Sequence, residues 1–474
     1  MEAEIHVQVK NNSPSIEVKM EAEIHAEVKD SPSIERILRP ISYISWLMGV
    51  GVAHPRKCPK AITIIIRIIY MTVCSIGMIY EAKSLLSFID HFKMVHYLIC
   101  LNEVMAYVLA YYYICHGIRQ YNKWPELMDR LKELDQKIKK EISMNDKSIK
   151  IVAALAVFAT ISCLIIPIVF YYIHYHFFTP AEFMFFIVLP NVILAQSLIN
   201  SFVFDVVVYV LYCRFQTINK LIGQLDKLSD VLAFKIRHIR ELHADICEMA
   251  SIINNIYSLP LLFCLMNCFI TSVTVLFELY HDFNEKITDY VYVILQNFCC
   301  IVCVTQFYLI CWICTLVRQE FDRTGRIIYE IILKCKPINF DKHEATNLSS
   351  LEVQPPLKDQ DGEQSFNRSS SHNLSYVDIE SLLRRNLDQD CVTKEINDFS
   401  IQLQQHRVTF TAYDFFEINN SLFRGFVGMI ITYLIIMSQF DQQSYNEDFR
   451  KLQKIILEME KKIFSKENET DSQN

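Results

Sequence analysis

Glycine and proline are scarce in this sequence, so few positions are suited to interrupting its apolar runs. Only 9 Gly and 13 Pro occur among 474 residues, of which 52% are hydrophobic. The apolar residues gather in runs of about 20 or more, the length that spans a bilayer. A soluble protein of this size would carry shorter runs, distributed over two or three domains. The composition therefore indicates an all-α membrane protein that crosses the bilayer several times.

Motifs for catalysis are also missing. The sequence contains no Gly-rich phosphate loop, no nucleophile elbow and no zinc-hydrolase motif. Two Cys-x-x-Cys spacings, Cys300/Cys303 and Cys311/Cys314, lie in one apolar span, and a straight helix cannot place four sulfurs tetrahedrally around a metal. We therefore expect no enzyme activity, no metal site, no cofactor and no nucleic-acid partner. The 16 Cys are interpreted as packing residues.

Residues 1–39 lack the apolar core of a cleavable signal peptide, so the first spanning helix is expected to act as the targeting signal. An imperfect duplication occupies this region: MEAEIHVQVKNNSPSIE at the start is repeated as MEAEIHAEVKDSPSIE at 20–35. We predict a disordered leader over 1–40. A short apolar patch follows at 41–52 and is predicted to lie in the membrane interface.

Seven apolar runs are long enough to span a bilayer. Arg67 interrupts the first run near one end, where its side chain is predicted to extend towards the interface. The predicted spans are 61–80, 94–115, 149–172, 182–212, 251–280, 290–316 and 420–440.

Loops between these spans also have helical patterns. Apolar residues recur at 3–4 spacing over 127–141 and 214–250, so the membrane helices are predicted to continue beyond the bilayer. The resulting domain prediction has five parts. These are the leader at 1–40, spans one to six with helical extensions at 41–335, a disordered cytoplasmic insertion at 336–394, a cytoplasmic helix and the last span at 395–440, and an amphipathic extracellular tail at 441–474.

Lys and Arg are unevenly distributed between alternate loops. The region before the first span and the second, fourth and sixth loops are rich in both residues, whereas the third loop has none. Because Lys and Arg accumulate on the cytoplasmic side, we predict an intracellular N-terminus. After seven crossings the C-terminus would be extracellular, the reverse of a G-protein-coupled receptor.

The last span, Asn420–Phe440, carries its small and polar residues on one side. At about 100° per residue, these side chains fall within an arc of roughly 60°. Lipid cannot satisfy a polar stripe, so several copies of this helix are predicted to face each other around an axis. The stripe consists of Ser421, Gly425, Gly428, Thr432 and Gln439.

Polar residues inside the other spans are costly to keep in a membrane. They can act as hydrogen-bonding contacts between helices, or they can line a pocket for a small polar ligand. Both interpretations stay open at this stage. The candidate ligand-binding residues are Glu103, Tyr107, Tyr171, Asn191, Asn267, Gln296 and Asn297.

The end of the last span resembles a known family. Residues 432–440 (TYLIIMSQF) match the T-Y-x5-Q-F signature of insect gustatory receptors, and 399–416 resembles the family's entry into that helix. Arg-Thr-Gly at 323–325 is also similar to the family. With seven spans and an internal N-terminus, the resemblance covers about residues 41–440.

This resemblance implies a ligand-gated, non-selective cation channel assembled as a tetramer, whose last helices line a central pore. Gln439 and Phe440 would then lie at the outer gate, with Thr432 and Tyr433 deeper on the same helix. Leu434 departs from the main sweet-taste branch, which often has Glu after the Thr-Tyr pair. Implied partners are a small non-volatile tastant, permeant cations, the lipid bilayer and other gustatory receptor subunits.

The function predicted from the sequence is therefore taste reception at the plasma membrane of sensory neurons. Two alternatives stay open: a G-protein-coupled-type chemoreceptor and an odorant receptor subunit of the same superfamily. The ligand is open as well, because a sugar, a bitter compound and an internal nutrient all fit the sequence.

Overall fold

The computed structural model describes residues 34–86, 94–174, 183–225, 232–285, 290–335, 376–440 and 454. Within these ranges the chain is almost entirely helical. The helices are α1 (Ile34–Leu47), α2 (Lys60–Leu86), α3 (Met94–Arg119), α4 (Lys123–Glu141), α5 (Lys147–His174), α6 (Leu189–Gly223), α7 (Leu232–Glu285), α8 (Tyr290–Cys335), α9 (Tyr376–Gln405) and α10 (Asn420–Phe440). A π-helical turn (Phe183–Val188) precedes α6.

One short hairpin precedes α10. Strands β1 (Thr411–Ala412) and β2 (Phe416–Glu417) pair antiparallel, with Thr411 opposite Glu417 and Ala412 opposite Phe416. It is the only sheet in the part of the chain that the structure describes.

Seven of the described helices are long and apolar enough to cross a membrane, which confirms the predicted all-α, seven-span fold. They are α2, α3, α5, α6, α7, α8 and α10. Three of them far exceed the length that a bilayer needs: α6 has 35 residues, α7 has 54 and α8 has 46. Helices of this length can continue beyond a bilayer, as predicted. The predicted continuation over 127–141 is different, because α3 ends at Arg119 and this stretch lies in a separate helix, α4.

The predicted boundaries differ from the structure at three places. α1 begins at Ile34, so residues 34–40 are helical and do not belong to a disordered leader. α6 ends at Gly223 and α7 begins at Leu232, so the helix predicted over 214–250 is interrupted. α9 begins at Tyr376, inside the predicted insertion, because this segment contains neither Gly nor Pro to stop a helix. The predicted tail helix lies outside the described residues.

The chain divides into two compact units. The first comprises Met1–Cys213, Glu248–Arg318 and Thr409–Asn474, and it contains the candidate functional site. The second comprises Arg214–Cys247 and Gln319–Val408.

In the first unit, α1 packs through an apolar face. Ile34, Ile37, Leu38 and Ile41 recur at helical spacing and are all buried, and α1 contacts α4 and α5. The indole N–H of Trp46 donates to Thr63 Oγ1 at 3.1 Å, which fixes the end of α1 to the start of α2.

The second unit has an aromatic core. Phe215 of α6, His243 of α7 and Phe321 of α8 contact one another, with ring centroids 5.3 to 6.2 Å apart, and His243 also contacts Phe399 of α9. The Asn219 amide donates to the Glu320 carbonyl oxygen at 2.9 Å, and the Thr324 hydroxyl donates to Asn219 Oδ1 at 2.7 Å.

An ion-pair group connects α7 with α9 in the same unit. The guanidinium of Arg240 lies 3.0 Å from the Glu395 carboxylate and 3.7 Å from the Asp398 carboxylate. The extensions of the three long helices therefore pack together in the second unit, and α9 completes that packing.

Arg67 does not extend to the interface, so that prediction was wrong. Its side chain is only 1% exposed, because the turn after α1 covers it. Nη2 donates to the Gly51 carbonyl oxygen at 2.7 Å. Gly51 has a φ of +66°, a conformation that favours glycine, and this turns its carbonyl towards the guanidinium.

The absence of a side chain at Gly117 of α3 leaves room for the hydrogen bond between Arg67 and the Gly51 carbonyl oxygen. A Cβ at this position would lie 2.1 Å from the Gly51 carbonyl oxygen and 2.7 Å from Arg67 Cζ. Both distances are well below van der Waals contact, so a side chain here forces the backbone or the guanidinium to move.

We expect Gly117→Ala to destabilise the protein by about 1–3 kcal/mol, the usual cost of overpacking a close contact. Thermal unfolding of the purified protein measures this loss. Gly325→Ala is the matched control, because a Cβ there meets nothing within 4 Å and alanine favours a helix. Equal melting temperatures for the two variants would contradict the proposed close approach.

Candidate functional site

The last helix, α10, packs against α7 and α8 through one face. The ring of Phe426 stacks on Phe307 of α8 with centroids 4.0 Å apart, and it also contacts Phe269 of α7. Phe423 extends this contact to Tyr308 of α8, at 5.2 Å. Phe426 and Ile430 are buried, so aromatic packing holds this face of α10 against the rest of the unit.

The polar stripe lies on the opposite side of α10. On a helix of 100° per residue, its centre is roughly 180° from the face formed by Phe426 and Ile430. All five stripe residues are exposed, and a Cβ at Gly425 or Gly428 would meet nothing within 4 Å. A single chain therefore leaves the stripe uncovered. The Thr432 hydroxyl donates to the Gly428 carbonyl of its own helix at 2.9 Å.

Tyr433 and Phe440 were predicted at the gate together with Gln439. The structure places the Tyr433 ring against Phe269 of α7, with centroids 5.7 Å apart, at the flank of the packed face. Phe440 is exposed, but it lies roughly 100° around the helix from the stripe. Gln439 alone of these three shares the stripe.

Hydrogen bonds fix the base of α10. The Asn419 side chain caps the helix, because its Oδ1 accepts from the backbone N–H groups of Ser421 and Leu422 at 2.9 and 3.1 Å. The N–H of Asn420 donates to Thr315 Oγ1 of α8 at 3.0 Å.

The preceding hairpin is held in the same way. Asn254 of α7 bonds Thr411 through both its amide oxygen and its amide nitrogen, at 2.9 and 3.2 Å. Arg318 of α8 pairs with Glu417 of β2. Both α7 and α8 therefore determine where α10 begins.

A second polar group lies among α2, α3, α7 and α8. Glu81 and Glu278 are both 6% exposed, and Glu103 is close enough to interact electrostatically with both of them. The Tyr107 hydroxyl lies next to the Glu81 carboxylate, and Gln296 Nε2 donates to Glu278 Oε2 at 2.8 Å. We call these five residues the carboxylate cluster.

The remaining predicted ligand residues do not join the cluster. Asn191 donates to the Ile187 carbonyl of the preceding π-helical turn at 2.7 Å, and Asn297 donates to a backbone carbonyl of its own helix at 2.8 Å. Tyr171 lies half-buried near the end of α5. Asn267 is buried, and its Oδ1 has no hydrogen-bond partner in the described parts of the chain. The structure thus brings together Glu103, Tyr107 and Gln296 only.

Sequence reasoning missed two of the three carboxylates. Glu81 lies one residue beyond the predicted end of the first span, and Glu278 lies inside the fifth span. Both are ionisable residues at membrane depth, which is the signal that could have identified them.

Gln306 of α8 was missed as well. Its Nε2 donates to Ser201 Oγ at 2.7 Å and lies 3.2 Å from Cys264 Sγ, which joins α6, α7 and α8. This buried amide is an interhelical contact of the kind expected in membrane bundles.

An apolar contact lies between the carboxylate cluster and α10. Val95 and Leu98 of α3 form a buried group with Phe277 of α7, and Leu434 and Met437 of α10 pack against it. Phe277 directly precedes Glu278. A displacement of α3 or α7 at the cluster would therefore act on the C-terminal half of α10.

These features define a class of protein: a seven-span membrane protein with a buried polar cluster and a last helix whose polar side is left uncovered. A sequence profile of the 7tm chemosensory receptor family matches residues 38–341 and 378–444. The chain belongs to this family. No curated protein matches the sequence.

Two solved structures have a similar fold. One is the insect olfactory receptor OR5 from Machilis hrabei, and the other is the same receptor in complex with eugenol. Each aligns with a TM-score of 0.52 at 12% identity, over 86% of this chain and 97% of the other. At this identity the likeness concerns the fold.

We predict that Glu103→Ala raises the agonist concentration for half-maximal response about tenfold or more, because a hydrogen bond to a charged group contributes ~1.5 kcal/mol or more. Dose–response curves from cells expressing the receptor measure this shift. Asn297→Ala is the control, since its amide is bonded to its own helix. If Glu103→Ala reaches the surface normally and its half-maximal agonist concentration is unchanged, Glu103 contributes to helix packing and not to ligand binding.

Proposed function

We propose that this chain is a gustatory receptor that acts as a tastant-gated, non-selective cation channel. The observation that carries the proposal is the position of the polar stripe on α10, opposite the face that packs on α7 and α8. A stripe exposed to lipid would leave the Gln439 amide without partners. Four copies that place their stripes around one axis would instead expose these groups to water and ions.

The proposal includes the orientation of the receptor in the membrane and its location in the cell. The distribution of Lys and Arg supports an intracellular N-terminus and an extracellular C-terminus. Gln439 would then lie at the outer mouth of the pore and Ser421 at the inner end. The receptor would reside in the plasma membrane of sensory neurons, as a homotetramer or together with other gustatory receptor subunits.

The carboxylate cluster is the proposed ligand site. Carboxylates accept hydrogen bonds, so a cluster of three favours a ligand rich in hydroxyl or amine donors. A sugar or a bitter compound has such donors, and this supports a non-volatile tastant. Agonist binding would shift the receptor towards its open state by preferring that state. The apolar contact from Phe277 to Leu434 and Met437 offers a path to α10.

An odorant receptor subunit is the second candidate. Its support is the fold shared with the olfactory receptor of Machilis hrabei, one of whose structures is a complex with eugenol. The T-Y-x5-Q-F ending and the polar cluster favour the gustatory assignment. A panel containing both water-soluble tastants and volatile odorants separates the two candidates.

The test is an agonist-evoked current in excised membrane patches from cells that express this chain alone. Without nucleotide, a channel still responds, whereas a receptor that signals through a G protein does not. A current evoked by non-volatile ligands is the expected result. Responses to volatile ligands alone would favour the odorant receptor.

In the same patches, we expect Gln439→Ala to change basal conductance or ion selectivity without loss of surface expression, because its amide would face the permeating ions. Ser438→Ala is the neighbouring control: its hydroxyl donates to the Ile435 carbonyl of its own helix at 2.9 Å. Currents of Gln439→Ala that match the wild type would remove Gln439 from the pore.

A further inference from the structure

A small cavity lies between α1, the turn that follows it, and α4. Its volume is about 180 Å³, below the roughly 300–1,000 Å³ of pockets for drug-sized ligands. A compact group fits this space better than a whole tastant does. The lining residues are Glu35, Arg36, Arg39, Ser42, Tyr43, His54, Pro55, Arg56, Lys57, Trp124 and Met128.

The lining of the cavity is strongly cationic. Arg36, Arg39, Arg56 and Lys57 all contribute exposed side chains, against one carboxylate from Glu35. Four cations converging on one small space repel each other, and this arrangement favours an anion between them.

Among the described residues, Arg56 is the only one of these four cations that forms ion pairs with carboxylates. Arg56 lies 3.1 Å from the Glu35 carboxylate and 2.6 Å from the Asp129 carboxylate. Among the described residues, Arg36 and Lys57 have no carboxylate within ion-pair distance. Two cations at the cavity therefore remain available to a ligand.

The contacts of Arg39 orient it at the rim. Its Nη2 donates to the Tyr43 hydroxyl at 3.3 Å, and its guanidinium carbon lies 5.4 Å from the centre of the Tyr43 ring. Tyr43 occupies only part of the guanidinium. The remaining N–H groups have the planar arrangement that matches phosphate oxygens.

The inner wall is uncharged. His54 Nδ1 donates to the Val52 carbonyl oxygen at 2.9 Å, and its ring stacks on Tyr121 at 4.1 Å. Burial lowers the pKa of His54, and the positive charge of Arg67 lowers it further. Near neutral pH the attraction for an anion therefore comes from the arginines and the lysine.

The cavity lies next to the start of the first membrane-spanning helix, where lipid headgroups are expected. Lys57 is three residues before Lys60, where the membrane-spanning helix α2 begins. Ile62 and Ile65 of α2 are exposed, as expected for side chains that face lipid. Trp46, half-buried near the end of α1, is an aromatic residue typical of this interface.

We propose that this cavity binds the phosphorylated headgroup of an anionic membrane lipid. Arg36, Arg39 and Lys57 hold the phosphate, Arg56 is positioned by its two carboxylates, and the acyl chains extend along the exposed face of α2. A cluster of four cations next to a membrane helix is the arrangement that recognises phosphoinositides. The acidic residues of the N-terminal leader are a different occupant, which the experiment distinguishes.

The experiment measures binding of phosphatidylinositol bisphosphate to the purified full-length receptor in phosphatidylcholine nanodiscs. Arg36→Gln/Arg39→Gln removes two cavity charges. Lys132→Gln/Lys140→Gln is the matched control, because it removes two exposed charges from α4 outside the cavity. Lys57→Gln is a milder variant on the other side of the cavity, in case the double variant folds poorly. Inorganic phosphate serves as the competitor.

We expect the double cavity variant to bind the lipid about tenfold more weakly or worse, and Lys57→Gln to bind it severalfold more weakly, while the control stays within about twofold of the wild type. Equal losses in the cavity and control variants would mean diffuse attraction and would overturn the site. Competition by inorganic phosphate alone, at the concentration of the lipid, would identify a free anion as the ligand instead. Binding that appears only after removal of residues 1–33 would identify the leader as the occupant. None of these results depends on whether the receptor conducts ions.

Discussion

A membrane offers no hydrogen bonds, and this constraint governs the last helix of the receptor. Its stripe of small and polar residues must face protein or water. Phe269 of α7 and Phe307 of α8 cover the other side of α10, where Phe426 and Ile430 are buried, and the single chain leaves the stripe uncovered. Further copies of the same chain are the natural cover, since a ring of such stripes encloses a polar path. The proposed channel therefore depends on the aromatic packing that holds the other face of α10 against α7 and α8.

The packing of α10 also explains how a ligand elsewhere could control the pore. Asn419, Thr315 and the hairpin fix the N-terminal end of the helix, so movement is easier in its C-terminal half. There Leu434 and Met437 rest on Leu98 and Phe277. The same two helices, α3 and α7, carry Glu103 and Glu278. A ligand that draws these carboxylates together would change the surface on which α10 rests.

Much of this fold could be predicted from the sequence, because the length of an apolar run and its 3.6-residue period are local properties. They located all seven spans, the long extensions of α6, α7 and α8, and the stripe from Ser421 to Gln439. The start of α9 was missed, because polar composition was taken as disorder although the segment contains no helix-breaking residue.

The candidate site was harder to predict, because it depends on contacts between distant segments. Glu103 and Tyr107 were identified as a pair on one helix, but Glu81 and Glu278 reach them only through the packing of α2 and α7. The environment of Arg67 could not be predicted for the same reason, because it depends on segments that are distant in the sequence. Its burial follows from a turn at Gly51 and a missing side chain at Gly117, and neither can be inferred from the span in which Arg67 lies.

The central claim is that the exposed stripe of α10 faces a water-filled pore, and cysteine accessibility tests it most directly. Gly428→Cys places a thiol on the stripe, and Ile430→Cys places one on the packed face. We expect a charged, water-soluble thiol reagent to block the agonist-evoked current of Gly428→Cys and to leave the currents of Ile430→Cys and the wild type unchanged. A functional Gly428→Cys receptor that resists this reagent but reacts with a lipid-soluble one would contradict it, because the stripe would then face the bilayer.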